Sequence, residues 1–288
     1  MLKQRVLTAI VLLAILLPAL FYRTPTPFCG LALVLIAAGA WEWGRLNKFG
    51  QITSLALSAV CVAMCAVSWY AGWLEKPLPL LWAVAGALWV FVGAWLLRHG
   101  VANWSTIPKG LRLVGGLLAL WLAWLAVAQA RVIGVNFLLS ILLLVWVADI
   151  FAYFSGRAFG GRFSKVKLAP GISPGKSWEG VWGGIAGVMG LSLIWVLLGA
   201  QEVRVGDGFF QAQTLYSRLV QHHGIVIMLI AVVFLAGMSV VGDLVESLIK
   251  RSAGVKDSSH LLPGHGGVLD RVDALLPALP LAMMLVTL

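Results

Sequence analysis

Residues 247–273 read SLIKRSAGVKDSSHLLPGHGGVLDRVD, and the rest of the chain is arranged around them. The run gathers Lys250, Arg251, Lys256, Asp257, His265, Asp270, Arg271 and Asp273 in a sequence that is otherwise mostly hydrocarbon. Charged groups beside a bilayer are costly unless paired, hydrated or bound to an ion, so such a cluster marks a functional site. A solvated loop is the plainer alternative. Two details weigh against it. Pro263–Gly267 strips away side chains and frees successive backbone N–H groups to wrap an anion. Asp270 and Asp273 then stand at i, i+3, which puts both carboxylates on one face of a helix that begins there. The combination points to a phosphate and metal site.

Outward from this run, the chain is membrane scaffold. Of its 288 residues, 61% are hydrophobic and 11% charged, whereas soluble domains carry about a quarter charged residues. Apolar stretches near 5–22, 27–45, 53–74, 78–97, 112–131, 135–155, 179–199, 224–248 and 270–287 predict helices that cross a bilayer. The fold class expected is an all-α polytopic membrane protein with about nine transmembrane helices. No alternating pattern suggests a barrel. The first stretch, after Lys3 and Arg5, leads into Arg-Thr-Pro-Thr-Pro rather than a small-x-small cleavage site, so it reads as an uncleaved span.

Lys and Arg exceed Asp and Glu by 21 to 11, a net charge of +10. Because these cations sit mostly in short loops, orientation and anionic headgroups or phosphates explain them better than nucleic acid does. Placing the N-terminus in the cytoplasm puts most of them on the cytoplasmic side. Residues 1–132 then form N-terminal scaffold helices. Residues 133–288 form a catalytic region with cytoplasmic loops at 156–178 and 249–269. No chemistry is assigned to the 201–223 connection. Cys29, Cys61 and Cys65 lie in apolar stretches and show neither a disulfide framework nor zinc spacing. Trp41, Trp43, Trp69, Trp73, Trp104 and Trp178 near predicted ends suggest an interfacial belt, while Trp89, Trp124 and Trp146 are expected to pack between helices.

On the eighth stretch Asp243, Glu246, Ser247 and Lys250 fall at i, i+3, i+4 and i+7, on one helix face. Lys250 snorkelling and pairing with Glu246 is the structural alternative. Asp243, followed by Leu244 and Val245, needs a metal or a basic partner to stay ionised. Mg2+ takes one or two carboxylates and completes its octahedron with water and phosphate oxygens. Asp243 facing Asp270 and Asp273 is the expected metal set, with room for a second, monovalent cation.

A second polar constellation spans Gly156–Gly180. Ser177 is placed to cap the seventh helix with Lys176 just outside its positive end, a geometry suited to a triphosphate. A plain cap with orienting lysines is the alternative. Asp149 on the sixth span is open between cytosine, a basic side chain and a metal. Glu42, between Trp41 and Trp43, has Arg45 one turn on as its expected partner.

Ser247, Lys250, Arg251, Lys256, Asp257, Ser259, Leu262, Pro263, His265, Gly266, Gly267, Asp270, Arg271 and Asp273 together resemble the signature of the phosphatidate cytidylyltransferases, also called CDP-diacylglycerol synthases. Ser173, Pro174, Lys176, Ser177, Trp178 and Glu179 resemble that family's other recognisable stretch. The resemblance implies an enzyme of phospholipid biosynthesis in the inner membrane, its site facing the cytoplasm. Such an enzyme condenses CTP with phosphatidic acid to CDP-diacylglycerol and pyrophosphate. It also implies Mg2+ at Asp243, Asp270 and Asp273, and a homodimer. Catalytic roles are expected for Asp243, Lys250, Asp270, Arg271 and Asp273. Substrate contacts are expected from Lys176, Ser177, Glu179, Ser247, Arg251, Lys256, Asp257, His265, Gly266 and Gly267. Two rivals are weighed: a CTP-dependent polyprenol kinase, which releases CDP, and a non-enzymatic anion transporter.

Overall fold

The computed structural model describes residues 2–202 and 213–287. Arg204 and Asp207 of the 201–223 connection lie outside the described residues. The helices are α1 (Leu2–Phe21), α2 (Thr26–Leu46), α3 (Gln51–Tyr70), α4 (Pro79–Trp104), α5 (Lys109–Ile133), α6 (Val135–Phe159), α7 (Trp178–Glu202), α8 (Leu215–Ala253), α9 (Leu269–Val272) and α10 (Leu275–Thr287). Among the described residues no strand forms; two isolated antiparallel bridges, Ala169 with Ser173 and Leu262 with Gly266, close the Pro-Gly turns of the two polar loops.

Among the described residues seven helices, α2 to α8, are long and apolar enough to cross a membrane. Bilayer hydrocarbon leaves no water for backbone groups, so a spanning segment must satisfy its hydrogen bonds internally. Their outward faces carry large exposed apolar side chains such as Ile52, Tyr70, Leu80, Phe91 and Ile194. This is an integral membrane protein. Proline and glycine set the breaks: Pro25 precedes α2, Gly50 precedes α3, and Gly134 separates α5 from α6. Within α8 the helix is interrupted at Gly224, where φ is 81°, and there the sequence reading begins its eighth span.

The two ends differ from expectation. The apolar part of α1, Val6–Phe21, is shorter than the seven spans. The predicted final span over 270–287 does not begin at Asp270, which lies instead in the four-residue α9; α10 begins at Leu275 and has 13 residues. At ~1.5 Å per residue α10 covers about 20 Å, less than the ~30 Å hydrocarbon core. A turn interrupts the helix at 273–274: Asp273 Oδ1 accepts the Ala274 N–H at 2.8 Å, and Pro277, four residues on, has no N–H for Asp273 O.

Helix α8 is the hub, packed against α4, α6, α7 and α10, while α2 lies on α3 and α5. The sequence division at 132/133 is crossed by several of these contacts, because α10 packs on both α4 and α5. Trp82, Trp124, Phe137 and Ile141 lie in the interior. The tryptophan expectations need correction. Trp104 is buried and meets Trp43 edge-on at 5.8 Å, with Trp43 Nε1 donating to Arg112 O at 3.1 Å. Trp146, expected between helices, is 43% exposed and faces outward. Trp124 does pack inside, its Nε1 donating to Cys29 O at 3.2 Å.

Candidate active site

The two polar loops converge on the C-terminal end of α8. Gly242 permits this. A Cβ there would stand 2.5 Å from Asp273 O and 2.8 Å from the Pro277 ring, so only a bare backbone lets α8 approach the 273–277 segment so closely. That contact puts Asp243 beside Asp273. One turn further on, Ser247 Oγ donates to Asp243 Oδ1 at 3.3 Å. A second turn on, the Lys250 ammonium sits 2.5 Å from Glu246 Oε2 and 2.6 Å from Asp270 Oδ1. The i, i+4 pairing of Glu246 with Lys250 is therefore present, and Lys250 reaches the signature loop as well.

That loop is built on Asp270. Its Oδ2 accepts the N–H groups of Gly267 at 2.7 Å and Ser258 at 2.9 Å, and the Ser258 hydroxyl at 2.8 Å. Burial opposes the charge on Asp270, yet the Lys250 ammonium and the Gly267 and Ser258 amides outweigh it and hold the carboxyl below the usual carboxylate range. Gly266, at φ 83°, supplies the left-handed turn, and Gly267 has no room for a side chain between Ser258 and Glu42. His265 Nδ1 is buried with no hydrogen-bond partner. Asp273 differs from Asp270: burial pushes its carboxyl up to about 7, and the neighbouring charges of Asp243 and Asp149 add to the effect.

The second loop arrives from α7. Ser177 Oγ accepts the Gly180 N–H at 3.2 Å, the expected cap. Glu179, expected at the substrate, is buried and accepts the N–H groups of Phe163 (3.1 Å) and Ser164 (2.8 Å), so it holds the glycine turn in place. Lys176 Nζ reaches across to Asp243 Oδ2 at 2.5 Å. Asp149 on α6 lies within electrostatic reach of both Asp243 and Lys176. Separate stretches of chain thus meet at one place.

A third participant was missed by sequence reasoning. Glu42 of α2 is 0% exposed and does not pair with Arg45, whose guanidinium lies 5.1 Å from the Trp41 ring centre. Glu42 Oε1 accepts the Ser259 hydroxyl (2.5 Å) and the Val268 N–H (2.9 Å). Its Oε2 accepts the Leu269 N–H (2.8 Å) and lies 3.2 Å from Ser258 Oγ. A buried acid is tolerated when its oxygens are hydrogen-bonded, and both oxygens of Glu42 are. The only local signal was an acid inside an apolar stretch.

A family model described as "Cytidylyltransferase family" matches residues 3–288. The chain belongs to the cytidylyltransferase family. A phosphatidate cytidylyltransferase of Pseudomonas aeruginosa is 37% identical over 284 residues, covering 97% of this chain and 95% of the relative. One of Haemophilus influenzae is 39% identical over 301 residues, covering 97% and 96%. Another, of Brucella abortus, is 34% identical over 282 residues, covering 96% and 90%.

For a cytidylyltransferase the donor set matters. Asp149, Asp243 and Asp273 lie within electrostatic reach of one another, and Lys176 Nζ sits on Asp243 Oδ2. Mutually repelling carboxylates with an ammonium seated among them fit a divalent cation. They do not form a closed cage: among the described residues no three His, Cys, Asp or Glu side chains converge as metal ligands. The expected trio of Asp243, Asp270 and Asp273 is not assembled, because both oxygens of Asp270 are taken by Lys250, Ser258 and Gly267. Arg251, Lys256, Asp257 and Arg271 are exposed around the cluster. Arg251 donates only to Val255 O, at 3.3 Å.

Proposed function

We propose that this chain joins CTP to phosphatidic acid, giving CDP-diacylglycerol and pyrophosphate. The observation that carries the reading is the Lys176–Asp243 contact, which brings the loop before α7 onto the polar face of α8, beside the acids gathered there. In the reaction a phosphate oxygen of the lipid attacks the α-phosphorus of CTP. The bond from that phosphorus to the bridging oxygen breaks, and pyrophosphate leaves. The lipid phosphate is already anionic near neutral pH, so no strong general base is needed. Positioning and charge stabilisation carry such a transfer.

The residues divide that work. Lys176 and the capped start of α7 present positive charge to the triphosphate. His265 Nδ1, buried without a partner, offers a polar group to a phosphate, whereas the His265 and Gly267 N–H groups of the turn are taken by Leu262 O and Asp270 Oδ2. Lys250, held by Glu246 and Asp270, keeps a cation at the same end of α8. Arg251 and Arg271 remain free to meet phosphates approaching from water. Asp243 and Asp273, with Asp149 facing them, are the groups to hold Mg2+, and a second, monovalent cation belongs to the same reading. When bound, the ion would neutralise charge on the leaving pyrophosphate.

For the lipid, an apolar cavity of about 570 Å3 lies among α2, α4, α5, α8 and α10, with Glu246 and Leu269 in its lining. Leu111 and Val114 are exposed at its edge, so it opens sideways. We assign it to the acyl chains. An inner-membrane location and a homodimer complete the proposal, and the basic residues in the polar loops support an orientation with those loops toward the cytoplasm.

Purified protein incubated with CTP and Mg2+ plus either phosphatidic acid or a polyprenol tests it. Pyrophosphate and CDP-diacylglycerol from the first lipid are expected. CDP and polyprenyl phosphate from the second would replace this reading with a kinase.

A further inference from the structure

We propose that Glu42 is a positioning residue of the active site: an acid in the N-terminal half, more than two hundred residues away in sequence, that sets the place of Asp270 and Lys250. Both Glu42 oxygens act as acceptors, and every donor comes from the signature loop. Val268 and Leu269 give the first free N–H groups of α9, which carries Asp270. Ser258 Oγ stands between Glu42 Oε2 (3.2 Å) and Asp270 Oδ2 (2.8 Å), so its one proton serves either carboxylate, with Asp270 the nearer acceptor. Ser259 gives its hydroxyl to Glu42 Oε1 at 2.5 Å.

The geometry admits no ready substitute. Each Glu42 oxygen faces one amide N–H and one hydroxyl. A glutamine would turn its own N–H2 toward an amide donor, leaving one of the two amides without an acceptor. Gly267 packs against the same carboxylate with no space for a side chain. The loop is thus fixed from outside itself: Glu42 sets Val268 and Leu269, these set Asp270, and Asp270 holds Lys250 at 2.6 Å. Thr8 Oγ1 of α1 also donates to Pro263 O at 2.9 Å, a second tie from the N-terminal helices to the loop.

The catalytic part of this inference rests on the proposed reaction; the positioning part does not. The test uses full-length Glu42→Gln, Glu42→Asp, Ser258→Ala and the Glu42→Gln/Ser258→Ala double variant. Kinetics are measured per folded protein, alongside hydrogen exchange at the 258–271 amides. Loss of a group that orients active-site residues costs about 10- to 100-fold. Glu42→Gln is therefore expected to lower kcat by that factor with KM for CTP little changed, and Glu42→Asp to recover part of it. Because the two residues act through one chain of hydrogen bonds, the double variant is expected to be no slower than Glu42→Gln. Exchange at Val268 and Leu269 is expected to accelerate. Additive losses, or unchanged kcat, would overturn the catalytic role, and unchanged exchange at those two amides would overturn the anchoring. Should Glu42→Gln not fold, Glu42→Asp and Ser258→Ala decide the same questions. If the wild-type protein makes no CDP-diacylglycerol, the proposed reaction fails while the exchange result still decides the anchoring.

Discussion

Lys176 Nζ lies 2.5 Å from Asp243 Oδ2, across the gap between the loop before α7 and the polar face of α8. Neither residue is deeply buried, so the pair by itself adds little stability. Its worth is positional, since it marks where a triphosphate and a cation would compete for the same two side chains. Replacing Lys176 by Met should leave the fold intact and lower kcat/KM for CTP by roughly 100-fold, the usual cost of removing one charge-stabilising donor. Pyrophosphate release measured across CTP concentrations checks this; a loss below threefold would remove Lys176 from the substrate's path.

Asp270 joins catalysis to stability. Changing it to Asn presents N–H2 to a site already filled with donors and leaves Lys250 with Glu246 alone. Removing one partner of a buried ion pair costs about 3–5 kcal/mol. Turnover should vanish and the melting temperature should fall. Full activity, or melting unchanged, would show that the Lys250–Asp270 contact is dispensable.

At Gly242 a single methyl group is expected to matter. The added Cβ of Gly242→Ala would collide with Asp273 O and the Pro277 ring, and overpacking of this kind costs about 1–3 kcal/mol. We expect a lower melting temperature and loss of turnover that added Mg2+ does not restore, since Asp243 and Asp273 are pushed apart. Wild-type kinetics in this variant would show that α8 can shift without cost.

Chelation of divalent ions should abolish CDP-diacylglycerol formation, and Mg2+ should restore it. In Asp273→Asn the Mg2+ concentration giving half-maximal rate should rise by about tenfold or more. An unaltered Mg2+ dependence would exclude Asp273 as a ligand.

Much of this was legible in the sequence, and what was not has physical reasons. Apolar runs of span length gave the seven long helices, and Gly224 marked the break in α8. The Ser177 cap and the polar face at Asp243, Ser247 and Lys250 followed from helical spacing, which is local. The short α10 was not visible, because the hydrocarbon continues from Ala274 onward and hydropathy does not register the turn at 273–274. Asp270 looked like a metal acid because its donors, Ser258 and Gly267, are ordinary loop residues whose amides carry no sequence signal. Glu42 was assigned to Arg45, one helical turn away; its true partners lie beyond any local window, while Arg45 found the Trp41 ring.

The Glu42 anchor also limits how the chain can be rearranged. A hybrid joining helices α1 to α5 of one relative to α6 to α10 of another inherits a lock from one parent and a key from the other. Exchange between such halves should succeed only where the acid on α2 and the paired hydroxyls at 258 and 259 travel together, so the two halves form one inheritable unit despite the apparent seam between them.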